Sequence, residues 1–204
     1  MTYADKTHWR IDWFLSAVLN NHINEMVDRH SALLALRVDL FYRKGTLEYE
    51  QINHHQLERD IRALMEKMMN ENAVVGYFWV LEYGEDRGYH AHVVFWLDRH
   101  ITQRTFVYAQ YAKSFWDEVT SMSGGFHRCE FKSNYSSNIN IPVYYSNPTS
   151  VSNIRLVLRY LAKEEQKWSY PVYGCNEVPP HSGIGRPRGP DEWQYSRRSV
   201  RYSI

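Results

Sequence analysis

The chain has 204 residues, with 24 Lys and Arg against 23 Asp and Glu, a net charge of +1, and 44% hydrophobic and 15% aromatic residues. This length suits one domain with a substantial core, and the composition excludes a disordered or fibrous chain. No apolar run approaches a membrane span, Met1–Lys6 lacks a signal-peptide pattern, and two cysteines are too few for a disulfide framework, so a cytoplasmic setting is expected.

Taken in chain order, Trp13, Phe14, Ala17, Val18, Ile23 and Val27 predict a helix over Asp12–Val27. Leu33–Arg43 reads as a strand, with Leu34, Leu36, Val38 and Leu40 on one face and Arg37 and Asp39 on the other. Arg37 and Asp39 form either an internal ion pair or a lining that supports an active site; the pair is preferred, because paired charges survive burial best. Leu57, Ile61, Leu64 and Met68 mark a helix over 53–72, and Thr102–Ser121 reads as another through Phe106, Ala109, Ala112, Phe115 and Val119. Gly124-Gly125 is read as a break before strands at Phe126–Phe131 and Ile139–Tyr145. A helix follows, started by the hydroxyls of Thr149, Ser150 and Ser152 and running through Asn153–Lys167. Beyond Gln166, prolines and glycines dissolve the pattern into an irregular basic tail, so the expected organisation is one domain over 1–167 and a tail over 168–204.

The chemistry concentrates in the hairpin between Gly76 and Asp98. His90 and His92 alternate on a strand-like run, so both side chains share a face and can converge on one cation. Glu82 closes the preceding apolar run, and Tyr83–Tyr89 has the Gly and Asp content of a hairpin loop. A register pairing Glu82 near His90 gathers two imidazoles and a carboxylate, with coordination positions left for a substrate. His127 and Cys129 could together ligate a metal, but as an isolated pair they are read as structural. In the last helix Val151, Ile154, Leu158 and Leu161 make an apolar arc, and Tyr160 stands opposite it, beside Lys163 and Lys167. A tyrosine hydroxyl with a pKa near 10 is a weak nucleophile at neutral pH, so attack on a phosphodiester needs a polarised phosphorus and nearby positive charge.

His90-Ala91-His92 followed by Val-Val-Phe-Trp resembles the His–hydrophobic–His motif of HUH endonucleases, and Tyr160-Leu161-Ala162-Lys163 resembles their Tyr-x-x-Lys motif. The order, with the nucleophile helix about 70 residues after the metal motif, is similar to that of rolling-circle replication initiators. Leu34–Phe41 resembles their opening strand motif, and Glu82–His92 most resembles the inovirus (filamentous-phage) replication initiators and their prophage relatives. The resemblance covers about residues 32–167 and implies an α+β fold, a mainly antiparallel five-stranded palm covered by helices. It implies nicking and rejoining of single-stranded DNA through a 5′-phosphotyrosine link made by Tyr160. His90, His92 and Glu82 would hold Mg²⁺ or Mn²⁺, and Lys163 would steady the phosphate. Leu156 stands where a two-tyrosine enzyme could carry its second, so a single-tyrosine enzyme is read. Arg155, Arg159 and Lys167, with Arg186 and Arg188 of the tail, are the candidate DNA contacts; net charge argues neither way. The expected partners are single-stranded origin or hairpin DNA and a host helicase, in the cytoplasm of a bacterial host, with no membrane. Two other readings stay open: a zinc hydrolase using metal-bound water, whose ligands this set also suits, and a catalytically silent DNA-binding regulator.

Overall fold

The computed structural model describes residues 10–51, 53–85, 87–167 and 171–180. Its centre is three long antiparallel strands, β1 (Ala32–Tyr42), β2 (Val74–Gly84) and β3 (Gly88–Asp98). Two short strands, β4 (Gly124–Arg128) and β5 (Val143–Tyr144), pair along the outer side of β1, and β6 (Tyr173–Cys175) pairs with β2. The order is β4-β1-β3-β2-β6, all antiparallel. The fold is α+β, as the sequence predicts, with one strand more than the five that the resemblance implies.

Both faces are covered because both parities of the central strands are apolar. Leu36, Val38, Leu40, Trp79, Leu81, Val93 and Phe95 point to one face. There α3 (His54–Met69) and α4 (Phe106–Val119) pack through Leu57, Ile61, Leu64, Ala112 and Trp116. The other face carries Leu33, Ala35, Phe78, Val80, Val94 and Trp96. Here lie α1 (Trp13–Arg29) and α5 (Pro148–Leu158), with Leu15, Leu19, Ile23, Met26, Ile154 and Leu158 inward. A four-residue helix, α2 (Leu47–Glu50), precedes α3 and has no signature in the periodicity.

Several elements differ from expectation, each for a local reason. The buried stripe of α1 begins at Leu15, leaving Trp13 and Phe14 exposed, because Asp12 caps the helix by accepting from the Leu15 amide. α5 starts earlier than the hydroxyl cluster suggests: Asn147 is the cap, accepting from the Ser150 amide, with Pro148 in the first turn. It also ends earlier, at Leu158, tightening into a 3₁₀ turn over Arg159–Ala162, after which Lys163 is extended and bridges Ile11. The amide of Asp12 donates to Ala162 O and that of Glu164 to Arg10 O, both at 2.8 Å, so the chain before α1 supplies partners that a longer helix would have supplied itself. Residues 171–180, read as irregular, supply the edge strand β6.

Gly124-Gly125 lies inside β4 rather than breaking the chain before it. A Cβ on Gly124 would stand 2.4 Å from Trp116 Nε1 and 2.5 Å from Thr120 Oγ1, so glycine is what lets α4 lie against this strand. Trp116 is fully buried and its indole N–H donates to Gly125 O at 3.0 Å, so it cannot yield. Gly124→Ala is therefore expected to lower stability by about 1–3 kcal/mol, measured as a shift in the urea midpoint at unchanged slope.

Candidate active site

The covered face of the sheet changes character along one line. Val94, Val80 and Ala35 belong to the apolar layer; beyond them on the same face stand His92, His90, Glu82, Arg37 and Asp39. The register sets these side by side, with Glu82 opposite His90 and Asp39 opposite His92. Strand pairing alone thus assembles a carboxylate and two imidazoles from two strands, with Asp39 beside them on a third. Glu82 Oε2 lies 3.2 Å from His92 Nε2 and 3.7 Å from His90 Nε2. All three residues are buried, Glu82 fully.

The second ring nitrogens decide what this cluster can bind. His90 Nδ1–H donates to Gly88 O at 3.1 Å, and His92 Nδ1–H donates to Asp39 Oδ1 at 2.6 Å. With the protons placed there, both Nε2 lone pairs face Glu82 Oε2, and three acceptors converge. That is the donor set of a divalent cation site with its outer partners in place. The group Glu82, His90 and His92 fits a metal, and the Gly88 carbonyl and Asp39 fix the ring orientation that ligation needs.

Asp39 also meets Arg37 Nη2 at 3.7 Å, so the two readings of that pair describe one arrangement: it is an ion pair, and it lines the site. Burial works against ionisation of Asp39, but the His92 hydrogen bond and the Arg37 charge outweigh it, holding the carboxyl far below the ordinary range. Glu82 follows the same pattern. Its burial is outweighed by its neighbours, the Lys167 charge among them, which hold the carboxyl far below the ordinary range.

The 3₁₀ turn lies across the edge of this cluster. Lys163 Nζ donates to Tyr160 Oη at 2.6 Å and to Gln166 Oε1 at 3.0 Å, and its charge pairs with Glu82 Oε2 at 2.9 Å. The Tyr160 ring packs edge-on to His92 with centroids 5.0 Å apart, and the Arg37 guanidinium lies 4.8 Å from its centre. Gln166 has φ +68°, its carbonyl accepting from the Tyr83 amide while its side-chain amide lies over Gly84, where a Cβ would come within 2.9 Å. A non-glycine residue held in the left-handed region beside a reactive cluster is strain that the surrounding bonds maintain. The site opens into a cleft of about 750 Å³ lined by Asp39, Tyr83, Arg87, His90, His92 and Tyr160.

The other sequence candidates fall in different places. Lys167 turns inward: its side chain is 1% exposed, and Nζ donates to Glu82 Oε1 and to Lys163 O, both at 2.6 Å. Arg155 donates to Asn20 Oδ1 at 2.6 Å and to Asn24 on α1, apart from the cluster. Arg159 is exposed on the 3₁₀ turn. Arg186 and Arg188 lie outside the described residues. Sequence reasoning missed Gln166, Tyr83 and Arg87 as parts of the site, and nothing in the spacing marks Gln166.

Residues 39–168, more than half of the chain, match the family described as replication-associated protein ORF2/gene 2 protein. The match runs from the strand residue bracing His92 to the end of the Lys163–Lys167 segment, so the whole cluster lies within it except Arg37. This is a protein of the replication-initiator kind, for which DNA is the substrate. The chain belongs to this replication-associated protein family. No significant match to it is found among curated proteins or among solved structures. Among the described residues, no helix is long and apolar enough to cross a membrane.

Two ammonium groups divide the Glu82 carboxylate, Lys167 on Oε1 and Lys163 on Oε2. Removing Lys167 leaves Oε1 without its buried cation, so Lys167→Met is expected to cost about 3 kcal/mol. A carboxyl depressed in the fold contributes stability above its unfolded value, 4.5, and loses it as pH falls below that. Denaturant melts of the wild type and of Lys167→Met should therefore differ most above pH 5 and converge in acid.

Proposed function

We propose that this protein is an HUH-type endonuclease that nicks and rejoins single-stranded DNA with Tyr160 as its single nucleophile, initiating rolling-circle replication of a phage, plasmid or prophage element. The observation that carries this reading is Lys163, whose one ammonium joins the Tyr160 hydroxyl to the Glu82 carboxylate beside two imidazoles. Nucleophile, ligand cluster and compensating charge meet at one point, although Glu82 and Tyr160 are far apart in the chain.

In this mechanism the Tyr160 oxygen attacks the scissile phosphorus as the bond to the 3′ oxygen breaks. The phenol proton is lost to water in the cleft, and the 3′ oxygen takes one up, leaving a 5′-phosphotyrosine and a free 3′-hydroxyl that can prime synthesis. Lys163 keeps its protons; its charge sits where the phenol oxygen and then the phosphoryl oxygens turn negative. Arg37 and His92 fix the ring of Tyr160, and Asp39 fixes His92. Mg²⁺ or Mn²⁺ bound by Glu82, His90 and His92 would polarise the phosphate as a Lewis acid. Rejoining is the reverse attack by a 3′-hydroxyl.

The cleft supports unpaired DNA as the substrate. Tyr83 is 40% exposed on its rim and packs edge-on to Tyr89, offering a face for a splayed base, and Arg87 adds cationic charge. An origin or hairpin strand, opened with the help of a host helicase in a bacterial cytoplasm, fits this reading.

The test is incubation with labelled single-stranded DNA and Mn²⁺. A denaturation-resistant protein–DNA adduct is expected in the wild type and none in Tyr160→Phe, with DNA affinity little changed. Cleavage without an adduct would point to a zinc hydrolase, and binding without cleavage to a silent regulator. Lys163→Ala should slow adduct formation by about 100-fold, with Lys163→Arg retaining more activity, measured by single-turnover kinetics.

A further inference from the structure

On the far side of His92, a second group of ligand atoms converges. His127 on β4 is the register partner of Asp39 on β1, and Cys129 stands two residues on, its amide bonded to Arg37 O at 3.0 Å. The alternation of extended chain puts His127 and Cys129 on the Asp39 face. Asp39 Oδ2 lies 3.8 Å from His127 Nδ1, and Cys129 Sγ lies 3.7 Å from the same nitrogen. One ligand atom from each of the three residues lies within 4.8 Å of the others.

We propose that Asp39, His127 and Cys129 form a second metal site, distinct from the Glu82–His90–His92 cluster and suited to a soft divalent cation such as Zn²⁺. The separations fit that ion. A tetrahedral zinc with sulfur at 2.3 Å and nitrogen or oxygen near 2.0–2.1 Å sets its ligand atoms roughly 3.4–3.6 Å apart, and both separations from His127 Nδ1 lie within a few tenths of an ångström of that. The donor set selects in the same sense, since thiolate and imidazole favour Zn²⁺ over Mg²⁺ or Mn²⁺. Access is available because the His127 side chain is 59% exposed.

Asp39 makes the two sites neighbours. Its Oδ1 accepts from His92 while Oδ2 is the oxygen nearest His127. The Arg37 guanidinium lies 3.7 Å from Oδ1, so carboxylate, thiolate and guanidinium together carry one net negative charge. Burial pushes the Cys129 thiol up to about 12, against the pull of Arg37, so the free side chain is a neutral thiol. Binding therefore exchanges its proton for the cation: the S–H bond breaks, a sulfur–metal bond forms, and one proton leaves to solvent.

Co²⁺ is the probe, because a thiolate ligand gives it a charge-transfer absorption that carboxylate and imidazole do not. On titrating Co²⁺ into the whole protein, the wild type should develop this band and lose it when Zn²⁺ is added. Cys175→Ser, which removes the other thiol, and Glu82→Gln, which damages the first cluster, should both keep it. Cys129→Ser should abolish it, and His127→Ala and Asp39→Asn should each weaken Co²⁺ binding at least about tenfold. Absence of the band in the wild type, its persistence in Cys129→Ser, or wild-type affinity in either ligand variant would overturn the site.

Discussion

A carboxylate with no solvent contact, placed in a sheet, must be compensated on every side or the fold does not hold it ionised. Glu82 is that group. One oxygen is bonded to Lys167, the other faces Lys163 and the two imidazoles, and the strands around it bring those partners into range. The requirement acts in two directions. It recruits the segment after the 3₁₀ turn to the sheet, because both lysines come from there, and it leaves the imidazole lone pairs pointed at a negative oxygen. Structural demand and capacity for chemistry are thus the same interaction seen from two sides.

Precision at such a centre comes from its mounting. His90 and His92 stand on the middle strand of the three, with β1 and β2 bonded to either edge and a helical layer over each face. Each imidazole is held by a second acceptor, one a backbone carbonyl and one a carboxylate that is itself ion-paired. Interiors packed this way do not deform gradually. Glu82, opposite His90 near the turn of the hairpin, is held in turn by two cations.

Much of this was legible in the residues. Alternation placed His90 and His92 on one face, parity brought Glu82 to them, and Leu34–Leu40 set Arg37 and Asp39 apart on the reactive side. The end of the last helix was not legible. Leu161, Ala162, Lys163, Glu164 and Glu165 are all good helix formers, yet the chain leaves the helix because Ile11 and Arg10 offer backbone partners from the other end of the sequence. Propensity cannot see a contact of that separation. Lys167 was misjudged for the same reason: a lysine in a basic-looking stretch reads as a surface charge until the buried carboxylate that captures it is known. The edge strand β6 escaped because three residues pairing with β2 produce no periodicity.

The bridge between Ile11 and Lys163 also orders the assembly of the site in time. Glu82, His90 and His92 lie within one hairpin, whose closure joins residues close in sequence. The turn that carries Tyr160 is docked by contacts spanning most of the chain, including the Arg10 amide on Glu165, 155 residues apart. Loop-closure entropy makes such long-range contacts slow to form. A chain still folding is therefore expected to close the Glu82–His90–His92 hairpin first and to dock Tyr160 last, when the two distant segments meet. The whole cluster, from Glu82 to Tyr160, exists only in the completed fold.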